Sequence, residues 1–319
     1  IMGPSSTLKI KSATTAVTNP AGGFRGFAFF EGSSGIQRIL GNGISTSMTP
    51  TRMTSSNTAC DDAVAALNPG DGLVYFYNTY NNVIDKHNTA GTLVATWTHG
   101  STGYSITADD TYLYRGGSGG GTSIWRTKLS DQTYSNLTTS GSYDGPAANQ
   151  GSIFVHHAGK IYTRGYGNDN FMDIIDLTTL VVTRKSDSNF ALGSYSDGGC
   201  IVTTTAGKSY VVEQGTNYWS YYDIEAGAVT RTAGASNGST EYAQGGAEIA
   251  PGVALIFSEL SDQCSLIDMN TSPPTWTFGT STPYIDSTPA FGNRFGFAGW
   301  LDRASEFTYS AFATGIEIT

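Results

Sequence analysis

An all-β fold is what this 319-residue sequence predicts, on three observations: its composition, a long-period repeat, and a strand–turn grammar inside each repeat. Charged residues make up only 13%, while there are 40 glycines. Thr, Tyr, Val and Phe suit a pleated surface, and Gly, Asn and Asp supply turns. A long helix needs Ala, Leu, Glu, Lys and Arg in periodic order, and no run of that kind occurs.

The repeat is marked by a pair of mostly apolar residues followed by a turn residue. It appears as Ile36-Gln37-Arg38, Val83-Ile84-Asp85, Ile124-Trp125-Arg126, Ile174-Ile175-Asp176, Tyr221-Tyr222-Asp223, Leu266-Ile267-Asp268 and Glu306-Phe307-Thr308. The spacing is about 45 residues, a period typical of stacked supersecondary units. Upstream of each marker lies an aromatic and β-branched stretch, at 24–30, 73–77, 111–114, 160–163, 209–212, 253–257 and 294–300. Short turns such as His157-Ala158-Gly159 and Pro251-Gly252 precede most of these, and small apolar strands such as 63–67 and 153–155 precede the turns. Each unit therefore reads strand A, short turn, strand B, longer loop, strand C, tight turn, strand D.

One four-stranded sheet cannot bury both of its faces, whereas blades stacked around an axis do so and leave no long open edge. The expectation is a single β-propeller domain spanning residues 1–319, with seven four-stranded blades, or six or eight if the first or last unit is misread. The last unit is short and a spare strand, 7–11, precedes the first. The N- and C-terminal strands are thus expected to share a blade, with 7–11 completing the last one. A β-helix is the rival, but its repeats are usually shorter.

The C–D hairpins Ile175-Asp176-Leu177-Thr178-Thr179 and Tyr222-Asp223-Ile224-Glu225-Ala226-Gly227 resemble those of Kelch and quinoprotein-type propeller repeats. The Kelch double glycine is not regular and the WD dipeptide is absent; Trp97 and Trp276 match the quinoprotein Trp only loosely. The resemblance implies the fold, and function must be argued from a site.

The charge balance excludes one class of partner. The net charge is -9 and the longest basic run is Arg184-Lys185, so no nucleic-acid partner is expected. No apolar stretch reaches the ~20 residues of a membrane span, and no leader peptide is expected. Cys60, Cys200 and Cys264 fit no zinc or redox spacing and read as buried thiols. No cofactor or metal is expected. The glycine-rich 116–121 lacks the Lys-Ser/Thr and helix of a phosphate loop. Asn136-Leu137-Thr138, Asn237-Gly238-Ser239 and Asn270-Thr271-Ser272 match the glycan-acceptor triplet, as chance allows in such a composition.

Candidate binding residues come from the loops. The B–C and D–A connections are the longer ones and share one face, where scaffolds usually bind. Tyr104, Tyr143, Tyr195, Tyr242 and Tyr284 recur in the D–A connections, with Asp197 and Asp286 close to two of them. Arg115 and Tyr166 sit at the B–C connections. Such a set can stack on sugar rings or grip a partner's loop. The alternative role is sealing adjacent blades, with hydroxyls bonding loop backbone. No catalytic set stands out. Strand alternation sends one of His156 and His157 to a blade interface and the other towards the channel. Asp85, Asp176, Asp223 and Asp268 read as turn caps.

These readings point to a non-enzymatic structural or adhesion propeller on an extracellular or virion surface, best matched by a phage or viral particle component of decoration, tail or fibre-associated type. Its expected partners are other subunits of an assembly or a surface glycan. The alternative is a secreted glycan-binding or glycan-cleaving propeller. An intracellular Kelch-like adaptor is a third possibility, disfavoured by the low charge.

Overall fold

The computed structural model describes residues 8–12, 24–31, 35–40, 51–52, 63–67, 73–78, 83–88, 92–98, 105–116, 121–144, 153–164, 170–190, 198–214, 218–233, 243–258, 263–278, 297–301 and 314–318. Every regular element among them is a strand. Numbered in chain order, β1 is Leu8–Ser12, β2 Phe24–Glu31, β3 Gly35–Leu40 and β4 Thr51–Arg52. Five sheets are then each built from four consecutive antiparallel strands. The first of them holds β5 Ala63–Leu67, β6 Val74–Asn78, β7 Val83–His87 and β8 Leu93–Thr98. The next holds β9 Ser105–Ala108, β10 Tyr112–Gly116, β11 Gly121–Lys128 and β12 Tyr134–Tyr143. It is followed by β13 Phe154–His157, β14 Lys160–Thr163, β15 Phe171–Asp176 and β16 Val182–Ser186. The last two are β17 Gly198–Thr203, β18 Ser209–Gln214, β19 Tyr218–Asp223 and β20 Ala228–Ala233, then β21 Ala243–Ala250, β22 Val253–Ser258, β23 Gln263–Asp268 and β24 Thr275–Phe278.

A sixth four-stranded sheet joins the two ends of the chain. In it β25, Phe297–Leu301, pairs antiparallel with β2 ahead of β3 and β4. We call this sheet blade 1 and the five others blades 2 to 6. The inner strands β25, β5, β9, β13, β17 and β21 pack side by side, and β21 returns to β25, so the ring is closed. The chain is a β-propeller.

The blade number corrects the expectation of seven. β25, Phe297–Leu301, overlaps the stretch expected as strand B of a seventh unit, 294–300, and is the inner strand of blade 1. The reason is backbone pairing: β2 needs a hydrogen-bonded neighbour on its axial edge, and β25 supplies it. The marker Glu306-Phe307-Thr308 lies outside the described residues. Strand β1 does meet the C-terminal end of the chain, pairing antiparallel with β26 (Thr314–Ile318), Leu8 opposite Ile318. The pair is a two-stranded sheet of its own, so β1 completes no four-stranded blade.

The apolar core lies in the seams between blades. Tyr75, Tyr77, Ile84 and Trp97 of blade 2 meet Ile106 and Leu113 of blade 3. Tyr114, Ile124 and Tyr143 of blade 3 meet Phe154, Ile161 and Ile175 of blade 4. Tyr162 and Met172 of blade 4 meet Val211, Tyr222 and Val229 of blade 5. Trp219, Val202 and Val212 of blade 5 meet Ala254, Ile256 and Ile267 of blade 6. Alternation along each strand sends every second side chain into one of its two seams.

Near the axis, glycine permits close approach. A Cβ on Gly199 would stand 2.7 Å from the Val212 carbonyl oxygen and 2.9 Å from Ile153 Cγ1. Gly199→Ala is therefore expected to lower the unfolding free energy by about 1–3 kcal/mol, the usual range for overpacking. Urea denaturation checks it, and an unchanged midpoint would show that the strands separate without cost.

The tight turns follow the expected chemistry at three of four markers. Asp176 Oδ1 accepts from the Thr178 and Thr179 amides at 2.9 and 2.8 Å. Asp223 Oδ1 accepts from Glu225 and Ala226 at 3.0 and 2.8 Å. Asp268 Oδ1 accepts from the Asn270 amide at 2.9 Å. The Thr179 bonds hold the exposed Asp176 carboxyl below its ordinary value. Asp85 is a correction. It sits inside β7, paired in register with Phe76 and Thr96, is buried, and accepts from Thr96 Oγ1 at 2.6 Å. Its equivalent is Asp173 in β15, not Asp176; a three-residue shift in the marker hid this.

Candidate functional site

Strands B end, and strands C begin, at the face from which the longer connections leave. Several charged and polar side chains are buried there: Arg115 at the end of β10, Arg164 just after β14, Glu213 and Gln214 at the end of β18, Asp173 in β15 and Ser220 in β19. A charge buried without a partner costs several kcal/mol, so each must be answered locally.

Arg164 and Glu213 answer each other across the seam between blades 4 and 5. Arg164 Nη1 donates to Glu213 Oε2 at 2.5 Å, with the two side chains 1% and 2% exposed. Ser220 Oγ, on the next strand of blade 5, donates to Glu213 Oε1. The Arg164 guanidinium also lies 5.1 Å from the Phe190 ring centroid. Phe190 is held in turn by Arg231 of β20, which donates to the carbonyls of Ser188 at 2.7 Å, Asn189 at 3.2 Å, and Phe190. Planar guanidinium groups suit this task because they offer several donors in one plane.

Asp173 forms the second centre. Arg184 Nε and Nη2 donate to its two oxygens at 2.8 and 2.7 Å, and the Asp144 amide donates to Oδ2 at 2.7 Å. Arg184 lies 3.7 Å over the Phe171 ring. Asp144 belongs to the chain leaving β12 of blade 3, so this carboxylate also ties two blades. Arg115 is enclosed by aromatic faces, with Tyr77 at 5.1 Å, Trp125 at 5.9 Å and Tyr134 at 6.0 Å. Burial pulls its guanidinium below the usual arginine range, opposed by Tyr77 and Tyr134.

Of the nine candidate residues, the structure describes two. Arg115 was expected on a loop; it lies within β10, paired in register with Ile106 and Trp125, and is fully buried. Tyr143 ends β12, is 2% exposed, and donates from its hydroxyl to the Ser123 carbonyl at 2.7 Å. That is the geometry of a residue sealing a seam. Tyr104, Tyr166, Tyr195, Asp197, Tyr242, Tyr284 and Asp286 lie outside the described residues. The pairs Arg164–Glu213 and Asp173–Arg184 were not anticipated. A faint signal existed for them, since polar residues interrupt otherwise apolar B and C strands.

A separate polar cluster sits at the opposite face, where blades 3 and 4 meet. Asp109, in the β9–β10 turn, caps the amides of Thr111 and Tyr112 through Oδ1 at 2.7 and 2.6 Å. Its Oδ2 accepts from the Tyr114 hydroxyl at 2.7 Å. His156 of β13 stacks on the Tyr114 ring, centroids 5.7 Å apart and planes 18° apart, with Nε2 4.0 Å from Asp109 Oδ2. Burial, with help from Asp109, raises the Tyr114 hydroxyl far above its ordinary value. Cys200 is a buried free thiol, which burial raises well above the ordinary range. Among the described residues no group of three or more His, Cys, Asp and Glu side chains is placed to hold a metal ion, and no helix is long and apolar enough to cross a membrane.

Neither a family model nor a curated protein matches this sequence. Solved structures do match, and they share the β-propeller fold. A structure of the nidogen–laminin complex aligns with a TM-score of 0.60 at 13% identity, covering 86% of this chain and 98% of the other. A catalytically inactive virginiamycin B lyase from Staphylococcus aureus, solved with quinupristin, aligns with a TM-score of 0.50 at 13% identity, covering 93% and 97%. At such identity the likeness establishes the fold alone.

Proposed function

We propose that this protein is a non-enzymatic structural or adhesion propeller working on an extracellular or virion surface, with a phage or viral particle component as the best match. The observation that carries the reading is the use made of charge beneath the long-loop face. Glu213 accepts from Arg164 and Ser220, and Asp173 accepts three hydrogen bonds from Arg184 and Asp144. Carboxylates engaged in this way hold blades together and brace the loops above them. A general acid or base needs a carboxyl or imidazole that can reach a substrate proton. The low charge and the Gly-, Ser- and Thr-rich composition suit an exposed, assembled particle. The partner is a surface glycan or a neighbouring subunit, met by the Tyr-bearing D–A loops.

A glycan array probed with the intact chain, Tyr195→Ala and Tyr242→Ala tests the loop face. Each change is expected to weaken binding by about tenfold, the loss of one aromatic stacking contact of ~1.4 kcal/mol. Binding that ignores both changes would remove these tyrosines from the account. Release of new reducing ends from a bound glycan would replace the non-enzymatic reading with the glycan-cleaving one.

A further inference from the structure

We propose that the seam between blades 3 and 4 is a proton-responsive joint, closed while His156 is neutral and loosened when it takes up a proton. The joint lies on the face opposite the long loops and rests on the Asp109–Tyr114–His156 juxtaposition. His156 comes from the inner strand of blade 4, while Asp109 and Tyr114 come from blade 3. Its backbone amide donates to Thr107 Oγ1 of β9 at 2.9 Å, which fixes the imidazole against the Tyr114 ring. The side chain is 14% exposed, and its buried Nε2 makes no hydrogen bond among the described residues. The nearest acidic oxygen, Asp109 Oδ2, is 4.0 Å away and already accepts from the Tyr114 hydroxyl. A neutral imidazole stacked on a phenol tolerates this site. An imidazolium needs water or a close carboxylate, and reaching either one disturbs the stack or the Tyr114–Asp109 bond.

The surrounding charges set the balance. Asp109 and Asp110 in the β9–β10 turn favour the imidazolium, and His157 beside it opposes it. Lys160 of β14 stands opposite His157 in register, and Arg126 of β11 bears on Tyr114. Burial outweighs the two aspartates and pulls His156 below its ordinary value of 6.5. The folded protein therefore binds this proton less readily than the unfolded chain. The stabilisation from the neutral imidazole is fully present above about pH 6.5 and is lost as pH falls through the lower folded value. Comparison with a variant that lacks this imidazole isolates its contribution between pH 7 and 5.

Hydrogen exchange of the full chain, corrected for intrinsic rates, provides the test. Between pH 7 and 5, protection across 105–116 and 153–157 is expected to fall by about tenfold more than across 218–229 in blade 5. His156→Phe keeps the stack and removes the proton site, so it should retain protection at pH 7 and lose the differential response. Asp109→Asn removes the main favourable charge, so its response should begin at lower pH. Two outcomes would overturn the joint: an identical acid response in His156→Phe, or a His156 ring titrating at or above 6.5 by NMR. Were His156→Phe unable to fold, the NMR titration of the unmodified protein and the Asp109→Asn shift would decide between the same alternatives.

Discussion

Arg164→Met is expected to lower the unfolding free energy by about 3–5 kcal/mol, the cost of leaving a buried charge without its partner. Glu213 keeps its bond from Ser220 but loses the guanidinium that neutralises it. The Phe190 ring also loses the cation above it. Replacing both partners, Arg164→Met with Glu213→Leu, should recover much of the loss, because an apolar pair of similar volume avoids desolvating charge. Denaturant titration of the two single variants and the double variant measures the coupling directly. Additive losses would mean that the pair contributes nothing as a pair. That result would also weaken the proposed function, which treats these charges as braces under the loop face.

The second large effect is expected at Trp219. This side chain is 1% exposed and fills the seam between blades 5 and 6, against Val202, Val212, Ile256, Ile267 and Met269. Trp219→Ala should cost about 3–5 kcal/mol through lost transfer energy and the cavity left behind. Trp219→Phe should cost clearly less. Because blades touch only their neighbours, the damage should be local in exchange measurements: protection falls in 198–223 and 253–269 while 121–143 is spared. A uniform loss around the ring would show that the propeller opens as one unit.

Strands 160–163 and 209–212 were readable because β-branched and aromatic residues follow clear turn signals, and strand 63–67 because its small apolar residues lead into one; the repeat then named the architecture. The turn roles of Asp176 and Asp223 were readable for the same local reason, since the carboxylate caps amides two and three residues ahead. Asp85 was misplaced because a marker triplet does not encode register: the residue aligns with the buried Asp173, three residues before the turn residue Asp176, and an odd slip moves a side chain to the other face of the sheet. The seventh blade was an error of closure. Nothing local in Phe297–Leu301 says that its hydrogen-bonded neighbour is Phe24–Glu31 at the other end of the chain.

The candidate site was less legible. Arg115 reads as a loop residue when only its glycine-rich C-terminal flank is considered; in the fold, β10 extends through it and three aromatic rings enclose it. Arg164 and Glu213 are 49 residues apart, and neither has a distinctive neighbourhood in the chain. Their pairing exists because adjacent blades bring the ends of β14 and β18 together.

The sequence by itself determined what depends on near neighbours: strands from alternation, turns from Asp and Gly, a propeller from a repeat of about 45 residues. Tertiary structure alone decided what depends on closing the ring. It set the number of blades, the strand that completes blade 1, and which buried charges meet. Ring closure is a global condition, satisfied by the inner edges of all the blades together, and no single repeat carries it.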